Sequence, residues 1–306
     1  MNSVDADITD CRYAILSGGV GGAKLALGLY LEQSSEELLV IGNVGDDFSH
    51  WGLHISPDLD TLMYTLAGVA DPDRGWGRAQ ESWTVLNTLS DLGGIDWFRL
   101  GDRDLAVHLE RSVRMGEGET LSAVTRNLCR AFGVTAILVP PNDDEVRTII
   151  DTTDRTLSFQ EYFVRERCEP PVTGLRYQGA SQATLLPEIG RLLAGDRLEA
   201  VILSPSNPYL SLDPILEIAD LRHRLAASPA PVVAVSPLIQ SHAFKGPTAK
   251  IMMELGCAVS TLTVAQHYAD ILDGIVIDPA DRELSGAIED LGIKVRITDT
   301  DRSNAD

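Results

Sequence analysis

The chain has 306 residues, 44% of them hydrophobic, and a formal net charge of −20. This length and hydrophobic content suit one large α/β domain or two modest ones. The acidity argues against a nucleic-acid partner, because a phosphate backbone requires a basic face. The sequence has no run of about 18 apolar residues that would predict a membrane span.

The N-terminal residues and the cysteines indicate a cellular compartment. The residues before the first apolar run are acidic, whereas a signal peptide begins with basic residues. The four cysteines lie far apart without a CxxC pair, a pattern that fits neither a disulfide framework nor a zinc site. We therefore expect a reduced, cytoplasmic protein that binds neither nucleic acid nor membrane.

The predicted elements open with a βαβ unit. Arg12–Ser17 and Leu38–Gly42 are short apolar runs that indicate strands, and Ala23–Leu31 between them indicates an apolar helix. A unit of this kind implies parallel strands. The other predicted elements are helices over 57–67, 77–91, 102–115 and 120–132, a strand over 134–139, extended pieces over 146–150, 156–163 and 174–177, strands over 200–203, 232–235 and 274–277, and helices after Pro214 and from Lys245.

Strands and helices alternate along most of the chain, except for a segment of extended pieces with little helix. We predict a single α/β domain over residues 1–306 with a doubly wound, mostly parallel, Rossmann-like sheet. The exceptional segment, residues 144–180, is predicted to be an inserted antiparallel segment.

A glycine-rich turn follows the first predicted strand. Ser17–Lys24 reads SGGVGGAK and lies between strand and helix. Glycines let backbone amides approach an anion, and a helix N-terminus carries partial positive charge. The segment matches neither the P-loop nor a clean GxGxxG pattern. It predicts a phosphate or nucleotide cradle, with a tight packing turn as the alternative; the candidate donor-binding residues are Gly18, Gly19, Gly21, Gly22 and Lys24.

Four carboxylates follow the second predicted strand. Asp46 and Asp47 lie in the loop after it, and Asp58 and Asp60 lie in the first turn of the next helix. Hard cations prefer oxygen ligands, and open parallel sheets bind ligands at the carboxyl ends of their strands. The pattern predicts a magnesium site formed by these residues. The alternative is that Asp58 and Asp60 only stabilise the helix N-terminus.

Two further loops carry polar groups that suit a ligand. Ser204, Ser206 and Asn207 follow a strand in a loop that two prolines stiffen, so they are candidates to bind a phosphate or a base edge. Lys245 lies near a helix start and is a candidate phosphate partner. The nearby His242 is a possible general base, although a plain loop histidine is the favoured explanation.

A fifth motif combines aromatic, cationic and acidic side chains. The segment Trp97–Asp104 reads WFRLGDRD, and its Arg99 and Asp102 lie close to two aromatic residues. This combination can bind a planar heterocycle, and a charged helix start is the alternative. No Ser/His/Asp or Cys/His nucleophile set is singled out by spacing. The loops therefore predict phosphoryl chemistry driven by positioning and charge neutralisation.

Together these segments resemble the 2-phospholactate transferase family of coenzyme F-420 biosynthesis, whose bacterial members are called phosphoenolpyruvate transferases. The order and spacing of the motifs carry the resemblance along nearly the whole chain. The matching segments are LSGGVGGAKL, NVGDD, ISPDLDTLMYTLAG, DPDRGWG, WFRLGDRDLA, FQEYFVR, SPSNPYLSLDPIL, VSPLIQSHAFKGP and HYADILDGIVID.

The resemblance implies a magnesium-dependent transfer. The donor would be guanosine diphosphate whose outer phosphate carries enolpyruvate or lactate. The acceptor would be the terminal ribityl hydroxyl of the deazaflavin Fo, 7,8-didemethyl-8-hydroxy-5-deazariboflavin. GMP would leave, and the product would be coenzyme F-420-0 or its dehydro form. Family members resemble dimers, so the resemblance implies a homodimer.

The resemblance also assigns residues. It places Asp60 and Arg99 in contact with the deazaflavin. It gives the metal to Asp46 or Asp47 together with Asp58 or Asp60, without separating the members of each pair. Asp46 and Asp60 are the candidates for a catalytic base.

One segment departs from the family pattern. Many relatives read GGKALKGP where this chain has QSHAFKGP at Gln240–Pro247. Enolpyruvate is the default acid on the donor, and this segment raises lactate or glycerate as alternatives.

Two other functions compete with the transferase. The first is a non-catalytic, nucleotide-sugar-binding regulator, which would not need the PDLD and WFRLGDRD motifs. The second is a dinucleotide oxidoreductase, which the sequence disfavours because Asn43, and not an acidic residue, follows the second strand.

Overall fold

A central parallel sheet organises the chain. The structure is a computed structural model that describes residues 7–33, 37–240, 242–243 and 246–300. The strands are β1 (Tyr13–Ser17), β2 (Leu38–Gly42), β3 (Phe48–His50), β4 (Leu53–Ile55), β5 (Ile137–Val139), β6 (Arg147–Thr152), β7 (Thr156–Ser158), β8 (Val172–Gln178), β9 (Ala200–Leu203), β10 (Val232–Val235), β11 (Leu238–Ile239), β12 (His242–Ala243), β13 (Gly274–Ile277) and β14 (Lys294–Ile297).

Helices connect these strands and cover the sheet. The α-helices are α1 (Gly19–Glu32), α2 (Pro57–Leu66), α3 (Thr84–Asp91), α4 (Asp102–Gly116), α5 (Leu121–Ala131), α6 (Pro187–Ala194), α7 (Asp213–Leu216), α8 (Leu221–Ala226), α9 (Thr248–Glu254), α10 (Thr261–His267) and α11 (Ser285–Glu289). Short π-helical turns lie at Glu161–Arg165 and Pro208–Leu212. Within the described ranges, none of the helices has the length and apolar character that crossing a bilayer requires.

Seven strands form the central sheet in the order β14-β13-β10-β9-β1-β2-β5, and every neighbouring pair is parallel. The chain starts in β1 and builds outward in one direction through β2 and β5. It then returns to the other side of β1 through β9 and builds outward again. The strand order therefore reverses between β1 and β9, and such a switch point is where open α/β sheets bind their ligands.

Both faces of the sheet are buried, which explains why its strands are continuous apolar runs rather than alternating ones. In β1, Ala14 and Leu16 belong to one core cluster, whereas Ile15 between them belongs to the other. Successive side chains of a strand point to opposite faces, so each core covers one side of the sheet. The predicted doubly wound α/β class is confirmed.

The remaining strands form three small antiparallel sheets. The pair β3–β4 is a hairpin that the sequence patterns did not predict, and β11–β12 is a two-residue pair. Strands β7, β6 and β8 form a three-stranded antiparallel sheet, so the inserted antiparallel part of the predicted fold class is also present.

Several predicted boundaries were wrong for identifiable reasons. Helix α1 begins at Gly19, not Ala23, so the glycines belong to its first turn. Only Thr84–Asp91 of the predicted helix 77–91 is helical, because Gly77 and Gln80 have positive φ angles of 68° and 57°, which a right-handed helix excludes. The extended piece predicted over 156–163 ends at Ser158. The predicted helix start at Lys245 lies outside the described residues.

Candidate functional site

The carboxyl ends of β1, β2 and β9 meet at the switch point of the sheet. Ser17 ends β1, Asn43 follows β2 and Ser204 follows β9. The backbone amide of Asn43 donates to the carbonyl of Ser17 at 3.0 Å, and that of Ser204 donates to the carbonyl of Leu16 at 3.1 Å. The parallel pairing therefore brings three loops together that are up to about 190 residues apart along the chain.

Three serine hydroxyls pack beneath the first turn of α1. A Cβ on Gly22 would lie 2.8 Å from the hydroxyl oxygen of Ser204 and closer still to those of Ser17 and Ser206. Ser206 Oγ donates to the carbonyl of Gly18 at 2.6 Å and lies 2.7 Å from Ser204 Oγ. Ser17 is fully buried, and among the described residues its hydroxyl has no hydrogen-bond partner. The close approach therefore requires glycine at position 22, and it leaves one buried hydroxyl to bind a ligand.

The carboxylate of Asp58, a residue of α2, binds the N-terminus of α1. Its Oδ1 accepts the backbone amide of Gly19 at 2.8 Å, and a Cβ on Gly18 would lie 2.5 Å from its Oδ2. A negative charge is stabilised at this position by the helix dipole. The amide of Gly19, which the sequence assigns to a donor phosphate, is thus bound by a carboxylate of the protein itself.

The other predicted donor residues are placed differently. Gly21 lies in the first turn of α1, and Lys24 is exposed on the same helix. Asn207 Oδ1 accepts the amides of Tyr209 and Leu210, while its buried Nδ2 has no protein partner. Asn207 therefore brings a second unused polar group to the loop after β9. Lys245 lies outside the described residues.

Asn43 is the centre of the acidic site. Its Nδ2 donates to Asp46 Oδ1 at 3.0 Å, to Asp58 Oδ2 at 2.9 Å and to the carbonyl of Leu210 at 3.2 Å. Its Oδ1 accepts the amide of Gly45 at 2.8 Å. A single buried amide group thus joins the loop after β2, the start of α2 and the loop after β9.

In the part of the chain that the structure describes, no ion pair joins Asp46 or Asp58 to a cationic side chain. Burial, followed by the charge of Asp58, raises the pKa of Asp46 well above its usual range. Burial also raises the pKa of Asp58 to about 6, against hydrogen bonds from Asn43 and Gly19 that lower it. Two buried carboxylates that share one amide nitrogen are unfavourable when both are charged. A bound cation would relieve this, so their chemistry fits the predicted divalent ion.

Asp47 extends the same group. Ser56 Oγ donates to Asp47 Oδ2 at 2.8 Å, and His54 Nε2 lies 3.0 Å from the same oxygen. The other oxygen, Oδ1, is buried without a protein partner. Because a buried unpaired carboxylate oxygen is costly, this atom is a suitable further ligand for a cation.

Asp60 is paired with a cationic side chain of α4, Arg111. Both its oxygens accept hydrogen bonds from Arg111, one of them at 3.0 Å, and the ion pair is buried. Atoms of Asp60, Asp104 and His108 lie within 4.8 Å of one another, which is metal-ligand spacing. Arg111 already occupies both oxygens of Asp60 and offsets one of the two negative charges, however, so we do not assign a metal to this group.

Asp60 and its partners form a buried network between α2 and α4. Arg111 Nη1 lies 3.2 Å from His108 Nδ1. Arginine only donates, so Nδ1 accepts and the imidazole proton lies on Nε2, 3.3 Å from Asp104 Oδ1. Tyr64 OH donates to the same Asp104 oxygen at 2.7 Å. Burial raises the pKa of Asp104, but contacts with His108 and Tyr64 outweigh it and hold the pKa below the usual value.

Two aromatic residues of the WFRLGDRD motif, which is predicted to bind the deazaflavin, belong to an aromatic cluster. Trp97 and Phe98 pack with Phe48 and His50 of the β3–β4 hairpin, at ring-centroid distances of 4.7 to 6.3 Å. Arg99 is exposed and lies over the ring of Trp83, 4.6 Å from its centroid.

Asp102 caps a helix. Its carboxylate accepts the hydroxyl of Ser82 at 2.7 Å and the amides of Thr84 and Val85, both at 3.1 Å, at the start of α3. This capping accounts for the position of Asp102 without a ligand. Its predicted contact with a deazaflavin stays a prediction.

Comparison with known proteins identifies the family. A family model described as 2-phospho-L-lactate transferase CofD matches residues 14–301. The chain belongs to the 2-phospho-L-lactate transferase family.

Individual members are similar over their full length. The chain is 38% identical to phosphoenolpyruvate transferase of Kitasatospora aureofaciens over 292 residues, 93% of this chain and 90% of the relative. It is 38% identical to the phosphoenolpyruvate transferase of Thermobifida fusca over 309 residues, 96% of this chain and 95% of the relative. It is 37% identical to that of Mycolicibacterium smegmatis over 315 residues, 96% of each chain.

A solved structure shares the fold. A crystal structure of a member of the UPF0052 family from Bacillus halodurans superimposes with a TM-score of 0.63 and 13% identity, covering 97% of this chain and 94% of the other. At that identity the likeness concerns the fold alone.

Membership of the 2-phospho-L-lactate transferase family favours a transferase over the regulator and the oxidoreductase.

Several residues that organise this candidate site were not predicted as site residues from the sequence. Asn43 and Gln160 contact the acidic loop, and Arg111 binds Asp60. Asn43 carried a signal, because an amide directly after a buried strand and before two aspartates suits a carboxylate-binding role. Gln160 lies in the FQEYFVR segment of the family resemblance, which assigned it no role. Arg111 carried no signal, since it is one polar residue in a long segment.

Proposed function

We propose that the chain transfers a phosphoenolpyruvyl group from a guanosine-diphosphate-linked donor to the ribityl hydroxyl of Fo, with release of GMP and formation of dehydro coenzyme F-420-0. The observation that carries the proposal is the carboxylate group around Asn43, located at the switch point of a chain of this family. The relatives named phosphoenolpyruvate transferase support enolpyruvate over lactate or glycerate.

Magnesium is part of the proposal. Asp46, Asp47 and Asp58 would hold the ion, because two of them share the amide of Asn43 and the third has a buried free oxygen. Magnesium, when bound, would neutralise charge on the phosphates and on the leaving GMP. Asp60 is not included, since Arg111 binds both its oxygens.

The protein's own groups would bind and orient the donor. The hydroxyl of Ser17 and the amide Nδ2 of Asn207 are buried polar groups without protein partners, and each can donate a hydrogen bond to a phosphate oxygen. They lie at the ends of β1 and β9, on either side of the switch point. Fixed donors of this kind stabilise charge that develops on a transferring phosphoryl group.

The acceptor side completes the reaction. The ribityl oxygen would form a bond to the outer phosphorus, while the bond from that phosphorus to the bridging oxygen of GMP breaks. The hydroxyl proton would pass to a carboxylate, and Asp46 is the candidate because its carboxylate is bound to Asn43 at the switch point. Arg99, exposed beside the aromatic cluster, would contact the deazaflavin.

The test is a product assay with defined donors. Enolpyruvyl, lactyl and glyceryl derivatives of guanosine diphosphate would each be offered with Fo, and the products identified by mass spectrometry. We expect enolpyruvyl transfer in magnesium, no product in EDTA, and a loss of about 10²-fold or more in Asp46→Asn and Asp58→Asn. Asp151→Asn, which alters an exposed pair with Arg176, serves as the matched control and should retain activity. Full activity of the wild type in EDTA would contradict the metal-dependent mechanism.

The donor acid and the assembly are finer parts of the proposal. Gln240 has a φ of 48°, its amide donates to Asp281 Oδ1 at 3.1 Å, and its carbonyl lies 2.7 Å from His242 Nδ1. These contacts are made by the two ends of a turn at 240–242, whose middle residue, Ser241, lies outside the described residues. We propose that this turn faces the acid on the donor, and exchanging 240–242 for Gly-Gly-Lys should then change the ranking of the three donors. A homodimer is likewise proposed, and sedimentation equilibrium would test it.

A further inference from the structure

The inserted antiparallel sheet lies against the outer side of the acidic loop. The amide of Thr148 in β6 donates to the carbonyl of Gly45 at 2.8 Å. A Cβ on Gly45 would lie 2.5 Å from Thr148 Oγ1 and 2.6 Å from the Cβ of Pro214 in α7. The loop that carries Asp46 and Asp47 is therefore held between the insertion and α7, with no room for a side chain at position 45.

One side chain of the insertion reaches the backbone of Asp46. Gln160 is 4% exposed, and its Nε2 donates to the carbonyl oxygen of Asp46 at 3.1 Å, across 114 positions of sequence. Neighbouring residues fix this glutamine. Phe159 is buried and stacks on Phe163 at a ring-centroid distance of 5.2 Å. The turn that presents Gln160 is therefore rigid, and its amide points at the acidic loop.

We infer that Gln160 is a positioning residue that sets the orientation of Asp46 for the metal ion. This inference rests on the proposed function. The carbonyl of Asp46 is one bond from the Cα that carries the carboxylate, so fixing the carbonyl restricts the direction of the side chain. Catalytic and metal-binding groups need to be held within about 0.5 Å of the productive geometry. Asn43 holds the carboxylate from one side, and Gln160 holds the backbone from the other.

The competing explanation is that Gln160 only attaches the insertion to the rest of the fold. Loss of a purely structural contact would lower stability without a specific effect on the ion. The two explanations therefore differ in metal affinity at matched stability. The same turn offers a control, because Glu161 makes its two hydrogen bonds to Ser158 within the insertion.

The experiment measures binding of Mn²⁺ alone, since carboxylate sites that suit Mg²⁺ also bind Mn²⁺ and free Mn²⁺ is visible by electron paramagnetic resonance. The full chain, stripped with EDTA, would be titrated as wild type, Gln160→Met, Glu161→Gln and Asp46→Asn, with thermal unfolding measured for each. Removing a group that orients a metal ligand typically weakens metal affinity 10- to 100-fold. We expect about a 10-fold loss in Gln160→Met and less than about a twofold change in Glu161→Gln.

The outcomes distinguish a failure of the positioning role of Gln160 from a failure of the proposed metal site. Wild-type affinity in Gln160→Met, or equal losses in Gln160→Met and Glu161→Gln, would overturn the positioning role. Unchanged binding in Asp46→Asn would overturn the proposed metal site, and the role of Gln160 with it. Should Gln160→Met fail to fold, Gln160→Asn keeps the amide but is one methylene too short, and it is expected to show the same loss; wild-type affinity in that variant would refute the inference.

Discussion

Replacing Arg111 by methionine should severely destabilise this protein. Arg111 is 1% exposed and donates to both oxygens of Asp60, which is 4% exposed. The Arg111→Met variant keeps most of the side-chain volume but leaves Asp60 charged and unpaired, beside the buried carboxylate of Asp104. Breaking a buried pair by removing one partner costs about 3–5 kcal/mol, so we expect the free energy of unfolding to fall by that amount.

Urea unfolding of the wild type and three variants would measure this effect. Arg114→Met is the matched control, because Arg114 lies one turn further along α4 and pairs with Glu110 at the surface. An exposed pair of this kind contributes about 0–1 kcal/mol. Adding Asp60→Asn to Arg111→Met removes the unpaired charge and should recover part of the loss. A loss in Arg111→Met no larger than in Arg114→Met, or no recovery in the double variant, would refute the buried ion-pair account.

Three further predictions concern the site. Gly22→Ala should lower the free energy of unfolding by about 1–3 kcal/mol, because its Cβ would meet three serine hydroxyls. By contrast, Gly28→Ala in the same helix meets open space and should gain about 0.5–1 kcal/mol; equal effects in thermal melts would contradict the packing argument. The pKa of Asp58 is raised to about 6, so the folded state binds the proton more tightly than the unfolded state. Stability without metal should therefore fall as pH rises from about 4 to about 6, and Asp58→Asn should flatten that slope in urea midpoints. Finally, Arg99→Ala should weaken Fo binding in calorimetry while guanosine diphosphate binding is retained, and equal losses for both ligands would indicate a general effect on the fold.

Local sequence signals predict the central sheet and the position of its loops. The apolar runs of β1 and β2 and the glycines between them are local signals, and local signals were sufficient to predict a parallel sheet with ligand-binding loops at its carboxyl ends. The loops after β1, β2 and β9 do meet, with Gly18, Asn43 and Ser204 within them. The order of motifs along the chain indicated the family, because that order is a property of sequence alone.

The pairing of the polar groups depends on contacts between residues that are distant in sequence. Asp58 caps α1, Asp60 binds Arg111 on α4, and Asp102 caps α3. Each partner lies 17 or more residues away in sequence, and many carboxylates and donors offered equivalent pairings. Distances in the folded chain select among them, and no sequence pattern contains those distances.

Asp58 and Asp60 show why two carboxylates that are close in sequence have different partners. Residues two apart on an α-helix are rotated by about 200° and do not face each other. Asp58 therefore points toward β1 and α1, where Asn43 and the Gly19 amide bind it, while Asp60 points toward α4. The helical period alone predicts that the two carboxylates diverge. Which of them meets a cation of the protein, and which is left with a raised pKa at the switch point, depends on the packing of α2 against its two neighbours.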